Sequence, residues 1–297
     1  MNINSTLIIF YKHTRLADAP DELFKLLNKM NTKYKFIFIK MNISLLKKTI
    51  NDNKSSKIIV HFHNKLVPIS GLNIKKIIHY HSEPSNTRPD LVNDKDLCKL
   101  VLNQYHCTLQ EYNSCDYIVR NYFSDPYNDI IFNDKIKVGF YPSSTRRSNK
   151  YSDKGYSETK NIFNKLVKKF PNVIFEIRTG IPYKKCIESK RNCHIIIDEC
   201  KTGSFHKSTL EGLSLGSIVI VNINNKIIDV HKKLYNNTLP IINSNINDLE
   251  NNIEILLNKG KHYLEEQALI SREKYISYWN DKSVSDEYFK IYESLWE

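Results

Sequence analysis

The chain has 297 residues and a formal net charge of +12, from 44 Lys and Arg against 32 Asp and Glu. With 41% hydrophobic and 11% aromatic residues it carries too much apolar surface for a disordered chain, and its length suits two globular domains. Six cysteines without a C-x-x-C pair exclude a zinc ribbon and a small disulfide scaffold, and no run approaches the roughly 18 apolar residues of a membrane span.

Short β-branched runs alternate with helical stretches. Residues 7–10 read as a strand, and the apolar run there is short for a secretory leader, so a soluble, cytoplasmic protein is expected. A helix opens at Asp18 with Pro20 in its first turn, and residues 35–39 and 44–51 continue as strand and helix. Further strands are predicted at 57–62, 76–80, 99–102 and 117–120. These runs are almost purely apolar, without in/out alternation, which suits a parallel sheet covered by helices on both faces.

A second series starts at 136–140 and runs through helix 157–169, strand 173–177, helix 183–190, strand 194–197, helix 208–215 and strand 218–221. The polar stretch 125–134, with Pro126 and Asn128, marks the boundary. Domains are therefore expected at 1–130 and 131–280, with residues 281–297 as a terminal helix packing back on the first. Ligand sites of open α/β sheets lie past the carboxyl ends of the strands, and a cleft between two such domains is the expected place.

The lysines fall mostly in pairs, such as Lys47-Lys48 and Lys168-Lys169, with no helix-turn-helix, zinc-finger or RNP pattern beside them. A solvated basic surface is expected, able to touch a membrane peripherally, with no specific nucleic-acid partner. A basic, non-catalytic nucleic-acid binder is the competing reading.

The richest segment is CHIIIDECKTGSFHKSTLEGLSLGSIVIVN, residues 193–222. A buried strand ends in Asp198-Glu199, a loop holds Gly203, a helix starts around Phe205 to Ser208, and Gly216 stands where a C-cap is wanted. Exposed N–H groups at that helix start suit a diphosphate, with Ser204, Ser208 and Thr209 as hydroxyl donors. Glu211, one turn on, is placed to accept from the hydroxyls of a ribose.

The stretch L-E-G-L-S-L-G-S-I-V-I-V resembles the L-E-A-M-A-x-G-x-P-V-I segment of GT-B fold glycosyltransferases, with Glu211 at the ribose-binding glutamate. Retaining members usually carry a further Glu eight residues earlier; here that position is Gly203, within a G-S-F-H run similar to the G-x-Y-G variant of some relatives, in which His206 replaces the final Gly and is expected to face the sugar. The segment KVGFYPSSTRRSNKYSDKGYSETKNIF is similar to the first strand and loop of the family's donor domain, with Arg146 or Arg147 and Lys154-Gly155 at its basic positions. Cations there stabilise the charge that builds on a departing nucleoside diphosphate. Gly180 and Pro182, with Ile181, align with the stretch leading to the base-binding loop.

The resemblance implies two Rossmann-like α/β domains facing across a cleft, and transfer of a sugar from a nucleotide-diphosphate sugar to a hydroxyl on a glycan, lipid or protein, with retention of configuration. No cofactor beyond the sugar nucleotide is implied. The competing enzyme reading is a GT-B fold sugar-nucleotide epimerase, and a member that binds nucleotide without catalysis is a third. In the first domain, IIVHFHN and IIHYHSEP each end a strand in His-x-His. Alternation places His61 with His63, and His79 with His81, on like faces, a geometry suited to a metal. Structural histidines are the commoner case and no metal is expected. His63, Asn64, His81 and Glu83 are instead assigned to the acceptor side, with one of His63, His81 or Glu83 as the general base should the reaction invert.

Overall fold

The computed structural model describes residues 6–12, 19–71, 73–82, 84–87, 89, 94, 97–127, 129–143 and 154–297. The chain forms two compact units, Met1–Ser124 with Asp281–Glu297, and Asp125–Asn280.

In the first unit, β1 (Leu7–Lys12), β2 (Lys35–Lys40), β3 (Ile58–His63), β4 (Ile74–Tyr80), β5 (Leu97–Leu102) and β6 (Tyr117–Val119) make one sheet in the order β2-β1-β3-β4-β5-β6. Every pairing is parallel. Helix α1 (Ala19–Met30) buries Leu23, Leu26 and Leu27 at three- and four-residue spacing, with Asp21 and Glu22 at its positive end. Helix α2 (Ile43–Asp52) starts at Asn42, whose side chain accepts from the Leu45 N–H at 2.8 Å. A single turn, α3 (Pro84–Thr87), follows β4.

Period-2 alternation divides the sheet's two faces. Leu7, Ile9, Tyr11, Val60 and Phe62 pack with Leu46 and Ile50 of α2. The other face carries Phe10, edge-on to Phe24 of α1 at 5.7 Å, and His61, bonded to Tyr292 of the chain's last helix at 2.9 Å.

The second unit holds β7 (Lys137–Phe140), β8 (Ile174–Ile177), β9 (Ile195–Ile197), β10 (Ile218–Val221) and β11 (Ile242–Asn243), again all parallel, in the order β11-β10-β9-β7-β8. Its helices are α4 (Tyr156–Lys169), α5 (Tyr183–Lys190), α6 (Lys207–Ser214), α7 (Asn225–Tyr235), α8 (Leu249–Asn258) and α9 (Lys261–Tyr278), and the last helix of the first unit is α10 (Asp281–Ser294). Val138, Phe140, Ile195, Ile197, Ile218 and Ile220 form the core with Leu166, Ile253 and Leu264. Each such side chain contributes roughly 1.5–3 kcal/mol by leaving water.

The parallel α/β architecture is the one the apolar runs imply. Helix α7 and the short β11 lie outside the predicted elements. The start of α7 is set by Asn224, whose side chain accepts from the Ile227 N–H at 3.1 Å. The expected cap after α6 is present. Gly216 takes φ 76°, Ser217 N–H donates to Gly212 O at 2.9 Å, and Gly216 N–H donates to Leu213 O at 3.3 Å.

Candidate functional site

In the second sheet the strand order reverses between β7 and β9, and open parallel sheets bind ligands beyond the carboxyl ends of strands at such a reversal. Three buried carboxylates organise that edge. Asp198, directly after β9, accepts from the His206 N–H at 2.7 Å, from the Thr209 hydroxyl at 2.8 Å and from the Lys154 ammonium. Burial works to raise the Asp198 pKa, but Lys154 and then His206 outweigh it and hold the carboxyl well below its ordinary value. Lys154 itself sits at φ 53°, followed by Gly155 at φ 76°. A left-handed lysine costs roughly 1–2 kcal/mol, which its ion pair with Asp198 helps to offset.

Glu199 shapes the next loop. It accepts from the N–H groups of Lys201, Thr202 and Ser204 at 2.9, 2.7 and 3.1 Å and from the Thr202 hydroxyl at 2.7 Å. Gly203, at φ 77°, lies in this loop, and its carbonyl accepts from the Asn224 N–H at 3.0 Å.

The third carboxylate is Glu211. Its Oε1 accepts from the Tyr183 hydroxyl at 3.0 Å and its Oε2 from the ammonium of Lys190, which also donates to the Ser208 hydroxyl at 2.7 Å. Burial opposes the charge on both partners. Lys190 nonetheless keeps the Glu211 pKa below its ordinary value, and Glu211 keeps that of Lys190 above its own, so the pair is ionised at neutral pH.

Lys154, Ser204, His206, Ser208, Thr209 and Glu211 thus gather around the start of α6, but most of their polar groups engage protein partners. The hydroxyls expected to face a diphosphate brace the loop instead: Ser208 accepts from Lys190, Thr209 donates to Asp198, and Ser204 donates to the Phe205 carbonyl at 3.1 Å. Phe205 is fully buried and edge-on to His231 at 5.4 Å, a core position rather than an open ligand surface. His206 keeps Nδ1 at 3.5 Å from Asp198, and its Nε2 has no hydrogen-bond partner among the described residues. Gly180, at φ 65° with open space around it, and Pro182, which precedes α5, are exposed past β8. Arg146, Arg147 and Glu83 lie outside the described residues.

Sequence reasoning missed Lys190 and Tyr183. Lys190 precedes Arg191 at a helix end and reads as solvated charge, while Tyr183 reads as an ordinary first-turn residue. The Asp198-Glu199 pair, two acids closing an apolar strand, carried a signal.

In the first unit the order reverses between β1 and β3. His63 stands opposite His79 across β3 and β4, with its Nδ1 at 2.9 Å from His81 Nε2. Asn64, at φ 64°, accepts the His81 N–H at 2.6 Å and donates to the Ser82 hydroxyl at 2.8 Å. Lys12, ending β1, is paired with Asp21 at 2.6 Å. Burial, reinforced by neighbouring positive charge, pushes the His61 and His81 pKa values down to about 3 and those of His63 and His79 well below the ordinary value. All four rings are neutral at pH 7. His63 and Asn64, assigned to the acceptor side, are both buried and bonded to neighbours that close the ends of β3 and β4.

The sequence matches no family profile, and no curated protein is similar to it. Solved structures share its architecture at low identity. Sucrose-phosphate synthase from Thermosynechococcus elongatus superposes with a TM-score of 0.61 at 9% identity, over 98% of this chain and 99% of that one. A glycosyltransferase from Rickettsia africae gives 0.58 at 13% identity over 99% of both. The fold is of the GT-B type. TarM from S. aureus, determined in complex with UDP and alpha-GlcNAc-glycerol, shares this GT-B architecture with a TM-score of 0.51 at 14% identity over 72% of the chain, which spans 55% of TarM's length. No helix among the described residues is long and apolar enough to cross a membrane.

Proposed function

We propose that the chain is a glycosyltransferase that holds a nucleotide-diphosphate sugar at the carboxyl edge of its second sheet and transfers the sugar, with retention, to a hydroxyl acceptor. The observation that carries this reading is Lys154, a cation in a left-handed backbone at the point of strand reversal, anchored by the buried Asp198 beside the start of α6. As the glycosidic bond breaks, negative charge collects on the departing diphosphate. An ammonium has three donors, and with one on Asp198 two remain for phosphate oxygens.

The N-terminal end of α6 adds its dipole to the same charge. Glu211 has about four lone-pair sites, of which Tyr183 and Lys190 use two, so a ribose hydroxyl pair is accommodated without breaking the ion pair. Gly180 and Pro182 line the base side next to Tyr183, and the sugar lies against His206. Architectural likeness to named glycosyltransferases supports the reaction class. The similarity of the Glu211 segment to retaining members supports the stereochemistry.

Thermal-shift screening against uridine, guanosine and adenosine diphosphate sugars tests the donor site. A ligand at ~100 times its dissociation constant adds roughly 2.7 kcal/mol to folded-state stability, and silence with every donor would sink the proposal. Lys154→Met is expected to lower kcat by about 10²-fold or more, as removal of a transition-state donor does, with a smaller change in donor affinity.

A further inference from the structure

The four histidines on one face of the first sheet have a property that neither packing nor sugar transfer explains. His61, His63 and His79 are no more than 1% exposed, yet His61 Nε2, His63 Nε2 and both ring nitrogens of His79 have no hydrogen-bond partner among the described residues. Buried polar atoms are nearly always paired, and four such atoms on one patch of sheet call for a ligand.

We propose that His61, His63 and His79 form a three-histidine site for a divalent transition metal, with zinc as the first candidate. His61 Nδ1 is fixed at 2.9 Å by the Tyr292 hydroxyl, and His63 Nδ1 at 2.9 Å by His81 Nε2. In both rings the opposite nitrogen is the free one. That is how metal-bound imidazoles are held, one nitrogen on an outer partner that sets the ring's tautomer and the other on the ion. One ligand atom from each of the three residues lies within 4.8 Å of the others. A tetrahedral site with bonds of ~2.05 Å has edges of roughly 3.3 Å, so rotation of the rings must draw the ligand atoms together by up to roughly 1.5 Å to close the set.

Closure requires at least one ring to turn out of its present stack, because an imidazole binds an ion in the plane of its ring. His61 and His63 stack at 4.7 Å and 10°, and His79 stands 5.6 Å from both. An all-imidazole set selects zinc, nickel, cobalt or copper and rejects magnesium and calcium, which require oxygen ligands. The Lys12 ammonium, the nearby cation, is paired with Asp21. A bound ion would tie β3 to β4 and, through Tyr292, to α10. The site is independent of the sugar-nucleotide reading, and its occupancy is measured without any nucleotide.

The experiment uses the full chain stripped of metal by a chelator and titrated with zinc or cobalt. Elemental analysis after dialysis is expected to find one zinc per chain, with a melting temperature several degrees above the stripped protein. Cobalt is expected to give the visible bands of a four- or five-coordinate nitrogen site without the near-ultraviolet band of a thiolate. His79→Gln and His63→Gln should each lower affinity at least tenfold, while His262→Gln, on the exposed surface, leaves it unchanged. The cobalt spectrum of the unaltered chain decides the matter even should a variant fail to fold. Absence of stoichiometric binding, a thiolate band, or undiminished affinity in folded His79→Gln overturns the proposal.

Discussion

The carboxylate of Glu211 and the ammonium of Lys190 form an ion pair in which the side chains are 5% and 2% exposed. Twenty-one residues separate them in sequence. Taking both charges out of water is tolerated because each supplies the other's counter-charge, with Tyr183 and Ser208 completing the hydrogen bonds. Breaking one side strands the other, at a cost of about 3–5 kcal/mol. Lys190→Met is therefore expected to destabilise the second unit by that amount, measured by urea unfolding. In a Trp296→Phe background, Trp279 is the remaining tryptophan and reports on this unit. The double change Lys190→Met with Glu211→Leu should recover most of the loss, since apolar residues of similar volume replace such pairs at little cost. A loss below about 1 kcal/mol in Lys190→Met would show that water reaches Glu211.

Asp198 gives the same edge a pH dependence. Its folded pKa is held well below the ordinary value, while the unfolded chain titrates at about 3.9. In the acid range the unfolded state therefore binds the proton more readily. The stabilisation from this carboxylate is complete above about pH 5 and is lost as pH falls through the folded pKa. Asp198→Asn lacks that contribution at every pH. The stability gap between parent and variant should be constant from pH 7 to about 5 and narrow below it, as read from thermal unfolding. A gap that is flat to pH 3 would mean that the Lys154 pair does not shift Asp198.

How much of this was legible beforehand differs from element to element. Strands such as Leu7–Lys12 and Ile195–Ile197 announce themselves because both faces are buried, so their apolar character survives without alternation. Lys154 and Glu211 stand out because the K-G and L-E-G-L stretches that hold them resemble donor-domain motifs of GT-B fold glycosyltransferases. Lys190 and Tyr183 reach Glu211 from other turns of α5, and nothing local distinguishes them from surface residues. The like-facing histidine pairs follow from period 2, but their union on one patch depends on β3 lying beside β4, which only the sheet order supplies.

Two left-handed glycines should respond differently to alanine. Gly203, at φ 77°, has Asn224 Cβ as its nearest neighbour at 3.5 Å, an ordinary contact. Gly203→Ala is therefore expected to cost only the backbone penalty, about 1 kcal/mol. Gly216, at φ 76°, would set its new methyl 2.8 to 3.0 Å from three carbons of Ile130, so that whole side chain must move. Overpacking adds to the backbone term, and Gly216→Ala should cost about 2–4 kcal/mol. Equal losses in urea unfolding would show that Ile130 yields freely.

Asn224 serves two elements through different groups, which allows them to be separated. Its side chain caps α7 by accepting from the Ile227 N–H at 3.1 Å, while its own N–H donates to the Gly203 carbonyl at 3.0 Å. Asn224→Ala removes the first interaction and keeps the second, and the loss of an N-cap costs about 1 kcal/mol. Asn224→Asp restores an acceptor and adds a negative charge at the positive end of α7, so it should match or exceed the parent. Because the backbone link to Gly203 survives in both variants, the loop that precedes α6 keeps its tether, and any sugar-nucleotide thermal shift should persist in both. A shift lost in Asn224→Ala and regained in Asn224→Asp would mean instead that the position of α7 governs the donor loop through the cap itself.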